Sequence, residues 1–527
     1  MGHGLTRREA IRSAAAGALA LNLGRLAGAL PDAAAAGATA GMNVVVFLTD
    51  QERAIQHFPP GWARANLPGA DRLRQHGLTF ENAFTNACMC SPARSTWMSG
   101  YFPAQHGVKY TLEEDMHPPR HPQVQLSTRF KNIASVVAAA GYSPVYKGKW
   151  HINKPASGTA SPADVAKYGF RRWNPPDGGA NQDADQAGGG SVNNDGRYMN
   201  SVGSAESGAE GVLQYLSGEA ARQQPFFLVV SLVNPHDVLS YPTNYVSFGY
   251  DNSWLAGDID VPATIDEDLS TKPTVQRQFL KIFNQTGQLS TRQMQRAYLN
   301  FYGNLMKSSD AYLAQVLDKL QQTGLLENTL VIKTADHGEM GLAHGGLRQK
   351  NFNFYEESLR VPLVYSNPRL YPTPRRTSAM VSHVDFLPTL ASLVGAPRRA
   401  RTRWQGVDYS RLVRNPSGRP TQDYVVFTYD DYESGQSHGP YPQPPNHVRA
   451  IREARYKLAE YYDPSGKRDS QWEMYDLKRD PLERKNLTAW RYRRTPEEER
   501  QYLRLRRRLA RVRATRLRPL SGGAAAT

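Results

Sequence analysis

Cysteine is scarce: Cys88 and Cys90 are the only two in 527 residues, so no framework of disulfides supports this chain. A bridge between those two would close a very tight, strained ring, which leaves Cys88 as a small buried apolar residue and Cys90 as a free side chain. After the N-terminal segment no apolar run approaches the ~20 residues that a membrane-spanning helix needs, so no transmembrane segment is expected in the mature chain. Internal repeats are absent. Acid is scarce relative to base: 48 Asp and Glu against 64 Lys and Arg give a net charge of +16. Such a balance suits nucleic acid, a membrane surface or an anionic substrate. The excess is local, because nine arginines and no acid lie between Arg500 and Arg518. Leu505, Leu509 and Val512 recur there at helical spacing, which predicts a docked terminal helix with a solvated basic face rather than a nucleic-acid arm.

What is present is a hydrophobic content of 40%, enough for a large core and a smaller appendage. Thr6-Arg7-Arg8-Glu9-Ala10-Ile11-Arg12 precedes an Ala, Gly and Leu run from Ala14 to Leu30 that Arg25 interrupts. Residues 1–40 therefore look like a twin-arginine signal peptide, and the protein is expected outside the cytoplasm, in the cell envelope or beyond, after passage through the twin-arginine translocase. That route carries folded proteins, so a cytoplasmic modification and metal loading can precede export.

From Asn43 onward short apolar runs alternate with amphipathic stretches, the pattern of an α/β fold with a mostly parallel sheet between helices. Val44–Leu48, Ser143–Tyr146, Phe226–Val233 and Leu330–Lys333 read as strands. Ile133 to Ala140, Val212 to Ala221 and Met294 to Leu320 read as helices, the last stopping at Gly324. Asn174–Asn200 and Asp430–Asn446 are rich in turn formers and read as loops, either the rim of a site or surface insertions. Residues 41–400 are taken as the main domain. Residues 401–520, with strand signals at 423–428, 448–451, 457–461 and 472–477, are taken as a smaller antiparallel C-terminal subdomain ending in the basic helix.

In open α/β sheets ligands bind beyond the carboxyl ends of the strands. Asp50 and Gln51, Lys149 and His151, His236 and Asp237, and Asp336 and His337 each follow one of the four strand signals. Each residue alone has a dull explanation as a cap or turn. Together they describe acids, imidazoles and a lysine able to converge on one pocket.

Cys90-Ser91-Pro92-Ala93-Arg94, continued by Ser95-Thr96-Trp97-Met98-Ser99-Gly100, matches the C-x-P-x-R sequence at which sulfatases have a cysteine oxidised to formylglycine. Gly148-Lys149-Trp150-His151, Asn234-Pro235-His236-Asp237, Asp336-His337-Gly338-Glu339-Met340, His344-Gly345, Lys350 and the run from Tyr355 to Pro362 continue the likeness. His383–Leu390 and Trp472–Leu477 with Asp480-Pro481 extend it almost to the end of the chain. The chain resembles the type I, formylglycine-dependent sulfatases of the alkaline-phosphatase-like superfamily. The resemblance implies hydrolysis of an aryl or carbohydrate sulfate ester through a sulfated formylglycine at Cys90, matured by the formylglycine-generating enzyme. It implies a metal site of Asp50, Gln51, Cys90, Asp336 and His337. Two of these depart from the commonest pattern, which has Asp at the position of Gln51 and Asn at that of His337. Oxygen donors favour Ca2+, and the imidazole makes Mn2+ the alternative. By the same resemblance Arg94 steadies the modified residue, Lys149 and Lys350 hold sulfate oxygens, His151 takes the proton that expels sulfate, and His236 with Lys350 serves the leaving oxygen. The Gln51 and His337 departures keep a phosphonate monoester or phosphodiester hydrolase open as a second reading. A secreted binder of anionic polymers is a third.

Overall fold

The computed structural model describes residues 39–181, 183–200 and 209–520. The twin-arginine segment lies outside them, save for Thr39 and Ala40. Seven strands, β1 (Asn43–Thr49), β2 (Gly77–Phe84), β3 (Ser143–Gly148), β4 (Phe226–Ser231), β5 (Thr329–Ala335), β6 (Leu363–Ser366) and β7 (Arg375–Ser382), form one sheet in the order β3-β4-β1-β5-β6-β2-β7. β3, β4, β1 and β5 pair in parallel, and only β6 runs against the rest.

Alternation along the central strands sorts side chains to two cores, because successive residues of a strand point to opposite faces. Val44 and Val46 of β1 join Phe227 and Val229 of β4 on one face, covered by the helices Ile133–Ala139 and Phe386–Leu393. Val45 and Phe47 join Phe226, Leu228 and Val230 on the other, under the helix Arg292–Gln322. A sheet covered on both faces needs strands without a polar side, and every residue of β1, β4 and β5 is buried.

A second sheet, antiparallel and ordered β11-β10-β9-β8, is built from β8 (Tyr424–Tyr429), β9 (His447–Glu453), β10 (Tyr456–Tyr462) and β11 (Gln471–Asp476). Val425, Phe427 and Tyr461 on one face pack with Phe84, Cys88 and Met89 of the main unit. Val426, Ile451, Leu458 and Met474 on the other receive Leu505, Leu509 and Val512 of the terminal helix Pro496–Thr515. Thr495 and Glu498 form a capping box at its start, and Arg504 and Arg508 both bond Glu453 of β9. The basic stretch is thus a docked helix, in agreement with its leucine spacing.

Two local expectations change. Asn174–Asn200 is not wholly loop: Ala184–Gln186 is a 3-10 turn and Asn194–Asn200 an α-helix, whose first turn is held by Asn193 Oδ1 accepting the Gly196 N–H at 3.0 Å. Asp195 of that helix accepts the N–H groups of Val233 and Asn234, tertiary bonds that no local pattern reveals. The helix from Val212 ends at Ser217, and Gly218 separates it from a 3-10 turn at Glu219–Ala221. Among the described residues no helix is long and apolar enough to cross a membrane.

Leu505→Ala should lower unfolding free energy by about 2–5 kcal/mol by opening a cavity beneath β10. Arg507→Ala, on the exposed face of the same helix, should change it by less than about 0.5 kcal/mol. Urea unfolding followed by circular dichroism measures both.

Candidate active site

Asp50 and Asp336 lie side by side because their strands do: Thr49 pairs with Ala335 across β1 and β5, and each aspartate is the next residue. Between them comes the N-terminus of the helix Cys90–Ser99, so Cys90 enters at the carboxyl edge of the sheet. Asp50, Cys90, Asp336 and His337 are all buried and can place their donor atoms within 4.8 Å of one another. His337 Nδ1 faces the Gly338 carbonyl at 3.1 Å. With the proton there, Nε2 keeps a lone pair toward the cluster, 3.2 Å from Cys90 Sγ and 3.6 Å from Oδ1 of both aspartates. Two carboxylates and an imidazole lone pair around one point, sealed from water, are a donor set that fits a single divalent cation.

Two fixed cations already serve this pair of acids. Arg94, one turn into the helix, bonds Asp336 at 2.9 Å and Asp50 at 3.1 Å, and its remaining donor reaches the Lys149 carbonyl and Ser231 Oγ. Its guanidinium is taken up by the two carboxylates and by the Lys149 carbonyl and Ser231 Oγ, so it positions the acids. Lys149 Nζ lies 2.8 Å from Asp50 Oδ2. Burial pushes the Asp50 carboxyl up, but Lys149, His236 and Arg94 outweigh it and hold Asp50 well below the usual range. Asp336 is left raised by burial and by Asp50 itself. Burial, reinforced by Asp50, pushes the Cys90 thiol up to about 11.

Gln51 adjoins the four clustered donors, its backbone N–H donating to Asp336 Oδ1 at 3.1 Å. It has a positive φ of 68°, its amide nitrogen donates to Glu339 at 2.5 Å, and its Oε1 accepts Lys350 Nζ at 2.6 Å. Gln51, expected with the cation, carries its side chain from Glu339 to Lys350 beside the cluster. Glu339, held in turn by Tyr298 at 2.6 Å, carried no role in that reading. Its place in Asp336-His337-Gly338-Glu339 was the available signal.

Cys90 of this cluster lines a cavity of about 450 Å3, together with His151, His236 and Lys350. His151 Nε2 donates to the Leu112 carbonyl at 2.6 Å, which leaves its buried Nδ1 unprotonated and without a partner. The backbone N–H groups of Trp150 and His151 are anchored on Asp177, a residue with no motif to mark it. Burial, then Lys149, pushes both His151 and His236 well below the ordinary imidazole range. Both suspected loops reach the rim, through Gly179 and Asn181 of the first and Glu433 and Tyr441 of the second. Cys88 is buried and free beside this site, with Sγ on the Lys350 carbonyl.

The family model for sulfatases matches residues 42–396, and that for the C-terminal part of N-sulphoglucosamine sulphohydrolase matches residues 344–515. The chain is 25% identical over 424 residues to the Delta 4,5-hexuronate-2-O-sulfatase of Bacteroides thetaiotaomicron, covering 79% of this chain and 78% of that one. It is 26% identical over 468 residues to the choline-sulfatase of Rhizobium meliloti, covering 84% and 82%. The phosphonate monoester hydrolase of Agrobacterium radiobacter shares the fold, with a TM-score of 0.63 at 22% identity over 90% of this chain and 96% of that one. With a family model spanning more than half of its length, laid over the strands that gather Asp50, Cys90, Asp336 and His337, the chain belongs to the sulfatases, hydrolases of sulfuric esters on an alkaline-phosphatase-like fold.

Proposed function

We propose that the protein hydrolyses the sulfate ester of an alcohol, with residue 90, oxidised from cysteine to formylglycine, as nucleophile. The observation that carries this reading is the setting of Cys90. It lies 2% exposed at the cavity floor, against two aspartates, with a thiol raised to about 11. A thiol so raised stays protonated and is a poor nucleophile. The hydrate of an aldehyde at the same place offers a hydroxyl that attacks sulfur and a second one whose deprotonation expels sulfate.

A divalent cation on Asp50, Asp336 and His337, with Ca2+ as first choice and Mn2+ as second, would supply positive charge favouring the ionised hydroxyl. Arg94 fixes the two carboxylates, while Lys149 and Lys350 present ammonium groups to the peripheral sulfate oxygens. As the bond from sulfur to residue 90 forms, the bond from sulfur to the alcohol oxygen breaks, and His236, with Lys350, gives that oxygen its proton. Burial and Lys149 hold the His236 imidazole well below its ordinary range, and an anionic ester beside it favours its protonation. His151 Nδ1 then takes the proton of the second hydroxyl, the carbon–oxygen bond to sulfate breaks, and the aldehyde returns. On the motif at Thr6–Arg12 the same proposal has the protein folded and matured before twin-arginine export.

The peptide containing residue 90, taken from active protein, should show the mass change of CH2SH to CHO. Cys90→Ala should abolish turnover while keeping the fold, and an intact thiol in fully active material would end the proposal. Chelation should remove activity and elemental analysis should find one bound cation; full activity in metal-free protein would contradict the ligand assignment. His236→Ala should slow an alkyl sulfate on the order of 10²-fold more than nitrophenyl sulfate, since the poorer leaving group needs the proton. Equal losses on both would assign His236 to positioning instead.

A further inference from the structure

The cavity above residue 90 is unevenly charged. Its floor carries Lys350 with His151 and His236, while its lining also holds two carboxyls, Glu113 and Glu433, and no arginine. Four buried polar atoms on that lining have no partner in the protein: His151 Nδ1, Gln349 Nε2, Glu433 Oε2 and Ser434 Oγ. Residues 349 and 350 adjoin at the sulfate end, and His151 belongs there too. Glu433 does not. It sits on the Asp430–Asn446 loop of the second sheet, only 2% exposed, with Oε1 fixed by His121 Nδ1 at 3.2 Å and by the Tyr432 hydroxyl at 3.1 Å. The carboxyl is therefore held in place with its other oxygen unsatisfied, an arrangement that costs free energy until a donor arrives.

One short piece of backbone ties this wall to the reacting end. The Leu112 N–H donates to Ser91 Oγ at 3.0 Å, next to residue 90, and the Leu112 carbonyl receives His151 Nε2. The adjoining Thr111 gives its N–H and its hydroxyl to Asp431 Oδ2, both at 2.9 Å, and Asp431 Oδ1 accepts the Ser434 N–H at 2.9 Å. At Gly435, with φ of +70°, a Cβ would fall 2.8 Å from Glu113 Oε1, so the absence of a side chain lets this turn close on the second carboxyl. Burial pushes the Glu113 carboxyl well above its ordinary range, and Lys149 offsets this only in part. Tyr441 adds an aromatic ring to the same lining.

A buried acceptor beside a second carboxyl and an aromatic ring is complementary to a cation bearing N–H groups. A polyanionic glycan would bring like charge against Glu433. We infer that the Glu433 wall is a subsite for a positively charged nitrogen, and that the substrates are sulfate esters of alcohols carrying a free ammonium group. This rests on the sulfate-ester reading above and narrows its alcohol.

The test compares wild-type kcat/KM for aminoalkyl sulfates of two, four and six carbons with that for alkyl sulfates in which methyl replaces the ammonium. Nitrophenyl sulfate serves as the control. The expected result is a preference of about tenfold or more for at least one ammonium ester over its partner, expressed mainly in KM. The ratio should fall toward one in Glu433→Gln and in the wild type as pH rises through the titration of the substrate amine. The second readout needs no variant to fold. Equal rates for every pair, or a ratio that Glu433→Gln leaves intact, would overturn the subsite while sulfatase action stands. A preference for hydroxyalkyl over aminoalkyl sulfates would assign the wall to a neutral polyol instead. If nitrophenyl sulfate and both series all fail to release sulfate, the reading on which the subsite rests falls with it.

Discussion

Two carboxylates side by side in a water-free sheet edge are the constraint on which this site rests. Adjacent parallel strands place Asp50 and Asp336 next to each other, and neither can remain ionised there without positive charge close by. Arg94 and Lys149 are spent on that requirement, which is why the C-x-P-x-R segment must run as a helix aimed at the pair: only at that spacing does Arg94 span both acids while Cys90 meets them at the helix start. Removing Arg94 would therefore cost more than one hydrogen-bonding partner, because it would leave buried charge uncompensated. A cation held on the same carboxylates would add to the positive charge that Arg94 and Lys149 already place there.

The second sheet is part of the site as well as an appendage. Its inner face shares a core with Cys88 and Met89, immediately before the nucleophile position, and its loop supplies Glu433 and Tyr441 to the cavity. The catalytic floor thus comes from the large sheet and much of the wall from the small one. On the proposed function, this division would leave the chemistry fixed while the wall set which alcohol is accepted.

Strands β1, β3, β4 and β5 are legible from their apolar runs, and the residues at their ends are legible as a group because each follows a strand directly. The long helix to Gln322 and the docked leucines of the terminal helix are equally plain from their spacing. What escapes the sequence is whatever a distant contact decides. The Asn194–Asn200 helix is held through Asp195 by Val233 and Asn234, and Asp177 matters because its carboxylate meets the backbone at His151. Gln51 could be named from its neighbour Asp50, but that its amide would bridge Glu339 and Lys350 depends on residues almost three hundred positions away. Glu433 is hidden for the same reason, in a stretch whose composition says only that it turns.

The burial of Cys90 also imposes an order on how the molecule is made. Once β8 to β11 have closed over Cys88 and Met89, the thiol lies at the bottom of a narrow well, beyond the reach of another enzyme's active site. Any catalyst that oxidises it must meet the segment as an extended peptide, while the C-terminal strands are unmade or undocked. On the proposed conversion of residue 90, the small sheet then acts on timing as well as on shape: its docking over Cys88 and Met89 ends the period in which that side chain is accessible.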